Sequence, residues 1–279
     1  MMSFTRRFAA HPGALIGLLL LAAVLFIAAF AGLLYPGDPW QSVGPPLLPP
    51  GGDPLYPLGT DLLGRDIAAG LAHGARVSLL IGVISTMAAV LVGVVLGAIA
   101  GFFGGWVDDL LMRFTEFFQT IPAFAMAVVL VAIFTPSITS ITGAIAIVSW
   151  PPVARLVRAE FMSLKSREFV QAAVTLGQRP LRIMFSQILP NTMSPIIVTA
   201  SLMVATAILT ESSLSFLGLG DRNMMSWGYM IGAARTMLRE AWWLSVFPGV
   251  AILLTVIAIN LIGEGLNDAV NPHLRGRKD

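Results

Sequence analysis

Six apolar runs, most of them long enough to cross a bilayer, constrain this chain more than any other feature. They fall at about Ala14–Leu34, Val77–Phe103, Leu110–Phe134, Ser137–Trp150, Met193–Leu209 and Leu244–Ile262. A spanning helix needs roughly 20 apolar residues, and in hydrocarbon every backbone N–H and C=O must be satisfied within the helix itself. Each run is apolar all round rather than on one face, as expected for helices in or near lipid. The fourth is short and is expected to continue helically through Pro151 and Pro152. Only 11% of the 279 residues are charged, against roughly 25% in soluble domains, so no sizeable soluble domain fits. The chain reads as an all-α membrane protein with six transmembrane helices.

The first run admits two readings. Arg6 and Arg7 precede it and Ala29-Phe30-Ala31 sits near its end, which is the outline of a signal peptide with a cleavage site. Its apolar core is longer than the ~7–15 residues of a signal h-region, which favours an uncleaved first span.

Charge sets the orientation. Six spans put both ends of the chain on one side. That side collects 12 of the 17 Lys and Arg residues: Arg6, Arg7, Arg113, six within 151–190 and three in the tail. Arg65, Arg76, Arg222, Arg235 and Arg239 fall on the other. The positive-inside rule makes the richer side cytoplasmic. The chain then divides into a cytoplasmic N-terminus with the first helix (1–36), a periplasmic Pro/Gly-rich segment (37–73), a five-helix core (74–270) holding a cytoplasmic loop at 153–190, and a cytoplasmic tail (271–279). The outer segment at 213–243 contains Trp227, Trp242 and Trp243, which read as an interfacial aromatic belt.

Several chemistries are excluded. A net charge of +2 is too small to argue for nucleic acid, and without cysteine there is no disulfide, thiol catalysis or Cys-ligated metal. His11, His73 and His273 are far apart, and no HExxH or GxSxG is present. Neither Lys165 nor Lys278 follows a glycine, so the phosphate-cradling GxxxxGK[ST] loop is missing and ATP and Mg are not expected on this chain. Arg113 and Glu116, at i, i+3, are placed to pair on one helix face. Glu211 and Glu264 lie near span ends, where a solvated or paired structural role outweighs a proton relay.

The segment from Arg167 to Asn191, REFVQAAVTLGQRPLRIMFSQILPN, is the soluble-looking part of a lipid-compatible chain. Arg167 to Leu176 lacks Gly and Pro, and Phe169, Val170, Ala173 and Leu176 recur at spacings of 3, 4 and 7, the pattern of a short amphipathic helix. Ala172 and Ala173 permit close approach of a partner. Gly177 can take a left-handed cap, and Pro180 suits the first turn of a second helix running to Leu189. Such a knob could dock on a cytoplasmic partner and transmit force, or lie on the anionic inner leaflet.

The same segment resembles the cytoplasmic loop of binding-protein-dependent ABC importer permeases, whose frame is Glu-Ala-Ala, three residues, Gly, nine residues, Ile-x-Leu-Pro. Gln171, Ala172, Ala173, Gly177, Leu189 and Pro190 match; Gln171 replaces the Glu and Gln187 occupies the Ile position. Stretches from Tyr56 to Asp66, Gly74 to Leu79, Ser213 to Gly220, Ser226 to Gly228, Phe247 to Gly249 and Asn260 to Ala269 are similar to the second permease subunit of dipeptide and oligopeptide importers. That branch also carries nickel, glutathione and other small peptides. The resemblance implies a type I importer permease fold in the bacterial cytoplasmic membrane. Its partners would be a homologous permease subunit, two cytoplasmic ATPase subunits that bind ATP and Mg, and a periplasmic binding protein. Arg167, Glu168, Gln171, Ala172, Ala173, Leu176 and Gly177 would form the coupling helix. Ser85, Thr86, Gln119, Thr199 and Ser201 are candidate groups along the substrate path, and each serves equally well as a helix–helix hydrogen bond. A stand-alone secondary transporter should show internal repeats and mid-span charges, and none is evident. A membrane enzyme lacks its catalytic constellation.

Overall fold

A computed structural model of the protein describes residue 8 and residues 11–270. Arg6, Arg7, His273 and the expected tail at 271–279 lie outside the described residues. Among those described, the fold is helical, with one isolated bridge between Thr60 and Asp66. The helices are α1 (Pro12–Leu34), α2 (Ile67–Phe103), α3 (Gly105–Thr120), α4 (Ala123–Ile133), α5 (Ile138–Lys165), α6 (Glu168–Thr175), α7 (Pro180–Ile183), α8 (Leu189–Leu214), α9 (Trp227–Ala234) and α10 (Trp243–Val270), with π-helical turns at Met184–Ile188 and Ser215–Leu219.

Three span expectations change. The second helix begins at Ile67, ten residues before the apolar run at Val77, because the Asp66 side chain accepts from the Ala68 N–H and caps it. Burial raises the Asp66 carboxyl above its ordinary value even though the Ala68 and Ala69 N–H groups donate to it. The third run is not one helix. It breaks between α3 and α4 with a bend of 81°, because Pro122 forces the preceding Ile121 into extended backbone. The fifth joins what precedes it: Pro180 to Leu219 is a single segment of 40 residues, so the second helix of the elbow continues into the span through a π turn. The fourth run does continue through Pro151 and Pro152 as α5.

Polar contacts between helix ends establish which ends share a face. Lys165 Nζ donates to the Phe102 carbonyl, so α2 and α5 finish together. His11 Nε2 lies 3.5 Å from Asp268, so α1 starts where α10 ends. On the opposite face Arg76 holds the Ala28 and Ala29 carbonyls at the end of α1, the Trp227 N–H donates to Ser78 of α2, and the Ile138 N–H at the start of α5 donates to Asp221. The bent α3–α4 pair therefore starts on the elbow face, beside α2 and α5, and finishes on the other, beside the start of α5. Together with the five helices long and apolar enough to span alone, it makes six crossings. Both α1 and α10 have their outer ends on the elbow face.

The centre is the contact of α2 with α5. Gly93, Gly97 and Gly101, four residues apart on one stripe of α2, lie against Val153, Ala154, Val157, Arg158 and Phe161. A Cβ on Gly101 would sit 2.7 Å from the Arg158 carbonyl oxygen, and one on Gly97 would overlap the Ala154 carbonyl. Small residues bring helix backbones together where lipid supplies no hydrophobic drive. On the other side α1 rests on α10 through Ala14, Gly17 and Gly265, and Ala28 and Ala31 are buried, so the first run forms part of the core. The tryptophans differ from the belt expected of them. Trp227 and Trp243 are buried, with Trp227 Nε1 donating to the Leu71 carbonyl, and Trp242 alone of the three is exposed.

Gly97→Ala is expected to lower the stability of the purified protein by roughly 1–3 kcal/mol, the usual effect of overpacking. Gly143→Ala, where an added Cβ meets nothing within 4 Å, should be neutral or slightly stabilising. Thermal midpoints in one detergent compare them, and equal midpoints would contradict the close-packed contact.

Candidate functional site

The elbow is built on a capped helix. Arg167 stands at the N-cap in extended backbone and Glu168 lies in the first turn of α6, where its charge favours the helix dipole. At the other end the Gly177 N–H donates to the Val174 carbonyl and the Gln178 N–H to Ala173, with Gly177 at φ +69°. This is a Schellman closure, and glycine is needed there for its backbone, since an added Cβ would meet nothing within 4 Å.

The helix is amphipathic, but its buried face is narrower than the spacing pattern suggests. Val170 and Ala173 turn inward against Val157, Phe161, Ile183, Met184 and Ile188. Phe169 and Leu176, expected on the same face, are exposed, Leu176 at 78% and its neighbour Val174 at 53%. Of the seven residues expected to couple to a partner, Arg167, Glu168, Gln171, Ala172, Leu176 and Gly177 stand together at the surface and Ala173 is buried in the chain's own core. Leu181 and Phe185, on the segment that returns to the membrane, extend the exposed apolar surface. The elbow thus has a rigid base and an apolar outer face.

Gln171 has a definite role. Its Nε2 donates to the Lys165 carbonyl at the end of α5 at 3.0 Å. A glutamate carboxylate has no proton to give there. The amide therefore joins α6 to the preceding helix by a bond that the commoner residue could not make.

The five expected path residues lie on α2, α3 and α8, and among the described residues no hydrogen bond joins any two of them. Ser85 is buried and donates to the Ile81 carbonyl of its own helix at 2.5 Å. The Thr86 hydroxyl is buried with no partner among the described residues. Gln119 and Thr199 are half-buried. Ser201 donates to the Val198 carbonyl and faces Gly263 of α10. A cleft of about 450 Å³ between α4, α8, α9 and α10 is lined by Phe124, Leu209, Ser212, Ser213, Phe216, Leu217, Ile231, Gly249 and Ile252, and none of the five reaches it. Among the described residues Arg113 and Glu116 form no ion pair.

Glu211 is not the boundary residue its position suggests. It is 1% exposed. Ser226 Oγ donates to its Oε1 at 2.8 Å and Ser215 Oγ at 3.0 Å, while Ser212 Oγ lies 3.4 Å from Oε2. Ser226 also caps α9 by accepting from the Tyr229 N–H. Gly228 lies so close that an added Cβ would stand 2.6 Å from Oε1. One carboxylate thus ties the end of α8 to the start of α9. The serines at i+1 and i+4 are visible in the sequence; the return of Ser226 is not.

Residues 93–276 match the family described as binding-protein-dependent transport system inner membrane component, and residues 2–50 match the N-terminal TM domain of oligopeptide transport permease C. The chain is 43% identical over 278 residues to the di/tripeptide transport system permease protein DppC of Pseudomonas aeruginosa, covering 98% of this chain and 92% of that one. It is 39% identical to the dipeptide transport system permease protein DppC of Haemophilus influenzae, over 96% and 93% of the two chains. It is 37% identical to the glutathione transport system permease protein GsiD of Pectobacterium atrosepticum, over 98% and 91%.

Glu211→Leu is expected to destabilise the protein by about 1–3 kcal/mol by leaving buried hydroxyls without their acceptor, whereas Glu211→Gln, which keeps an acceptor oxygen, should lose much less. Thermal midpoints of the two purified variants provide the comparison. A leucine variant as stable as the wild type would remove the latch from the account.

Proposed function

The chain belongs to the family of inner membrane components of binding-protein-dependent transport systems, and from that premise we propose that it is the permease subunit of an ATP-driven importer of dipeptides and oligopeptides. It works as one half of a membrane pore paired with a homologous permease subunit. Two ATPase subunits, which carry ATP and Mg, stand on its cytoplasmic side, and a periplasmic binding protein delivers the substrate. The observation that carries this reading is the elbow: a capped helix rooted in the core, with Val174 and Leu176 exposed on its outer face. The peptide substrate is supported by the names of the relatives, in which dipeptide and di/tripeptide transport recur. Glutathione, itself a small peptide, is the second reading, supported by the similarity to GsiD.

The elbow face is the cytoplasmic one, as the excess of Arg and Lys on that side supports. Closure of the ATPases on ATP pushes α6, and the push enters the membrane along α5 and α8, which leave the elbow on either side. The substrate path lies between the two permease subunits, where Ser85, Thr86, Gln119, Thr199 and Ser201 remain candidates for lining it. The ATPase contact rests on apolar shape more than on charge at position 171, because the Gln171 amide is engaged with Lys165.

Gly177→Asp should leave the protein in the membrane yet reduce substrate uptake tenfold or more while ATP hydrolysis continues, and Leu176→Asp should release the ATPase subunits on purification. Uptake of a labelled dipeptide and of labelled glutathione by the reconstituted complex reads the first variant and ranks the two substrates. Normal uptake by Gly177→Asp would refute the coupling role.

A further inference from the structure

The elbow sits on α5, but the bent α3–α4 pair has no covalent path to it shorter than α5 itself. A polar bond bridges that gap. Arg158 of α5 donates from Nε to Asp108 Oδ1 at 2.5 Å and from Nη2 to Oδ2 at 2.5 Å, a two-pronged fork that fixes both distance and angle. Asp108 lies in the first turn of α3 and is buried. Between α2 and α3 the chain passes through Gly104 and Gly105, at φ +67° and +55°, where an added Cβ would meet nothing within 4 Å. The turn is held by backbone hydrogen bonds from the Gly104 N–H to Ala100 and from the Asp108 N–H to Gly104, and the fork adds a side-chain tie from α3 to α5. Of the ion pairs among the described residues, this one alone joins two of the helices α2 to α5.

The two helices are also matched at the far end of α3. Phe114 stacks on Trp150 of α5 at 5.8 Å between centroids, and Phe118 meets the same ring edge-on at 5.3 Å. Beyond them comes the 81° break, after which α4 packs against the outer end of α5. An aromatic contact tolerates sliding. A fork of two charged hydrogen bonds does not.

We propose that Asp108 and Arg158 are positioning residues for transport: the strut through which movement of the elbow on α5 is imposed on α3 and so on the broken span. The proposal rests on the coupling role given above to α6. Without the strut, ATP-driven movement of the elbow would carry α2 and α5 while α3 lagged at its glycine joint, so hydrolysis would proceed with little uptake.

The test uses the complete complex of both permeases, both ATPases and the binding protein, with Asp108→Asn, Arg158→Gln and the double variant. Each is scored for retention of the ATPases, ATP hydrolysis and uptake. Either single variant should retain the ATPases and keep hydrolysis within threefold, with uptake down at least tenfold; the double variant should be no worse than either single. Asp109→Asn, at the exposed neighbouring carboxylate, should behave as wild type. Where a single variant fails to assemble, Arg158→Lys replaces it, keeping the charge without the fork, and should give intermediate uptake at normal hydrolysis. Uptake within twofold of wild type, losses that add in the double variant, or equal losses of hydrolysis and uptake would each overturn the strut. A wild-type complex that does not retain ATPases would instead defeat the functional reading on which the strut rests.

Discussion

The close approach of α2 and α5 is the contact on which the rest of the structure depends. Three glycines spaced four apart let the two backbones meet along the C-terminal half of both helices. In lipid, association of this kind draws on dispersion and hydrogen bonding rather than on the hydrophobic effect, so a side chain at any of the three would separate the pair. Lys165 closes the end of the contact by donating to the Phe102 carbonyl. That end is where α6 begins, so the position of the elbow is inherited from the glycine stripe.

From this base two helices lead away from the elbow with different destinations. α5 passes into the centre, beside α2 and α3. The segment after Pro180 passes through a π turn into α8 and ends at the buried Glu211, which holds α9 on the opposite face. A π turn is a common site of local adjustment within a helix, and it lies directly behind the elbow. A displacement at α6 therefore has a stiff route through α5 and a second route through α8 to the outer surface. Stiffness of the knob follows from its Schellman cap and from the Gln171 bond to Lys165, which together leave α6 little freedom relative to α5.

Much of this architecture was legible in the residues, and the gaps have physical causes. Long apolar runs and the positions of Pro180 and Gly177 located the spans and the caps, since both signals are local. A long apolar window averages across Ile121 and Pro122 and conceals the bend, although a proline disfavours helix at the residue before it. His73 and Arg76 interrupted the apolar run of α2 and so hid its first ten residues, while Asp66 was a cap in plain view. Spacing groups Phe169 and Leu176 with the buried face because it does not say how wide that face is. Glu211, Trp227 and Trp243 look like boundary or interfacial residues because nothing local signals that the chain returns to cover them. For the substrate path the sequence offered polar residues in spans, and Ser85 illustrates why that is weak: its hydroxyl is spent on its own helix.

A crosslinking measurement tests the central claim most directly, and this sequence has no cysteine of its own to compete with an introduced one. Single cysteines at Leu176, at the buried Ala173 and at the exposed Leu55 in the Pro/Gly-rich segment would be treated with a short crosslinker in membranes containing the whole complex. Leu176→Cys is expected to give a product joined to an ATPase subunit, changed in yield by ATP, with none from the other two positions. Absence of that product while the ATPases remain bound, or an equal product from Leu55→Cys, would contradict it.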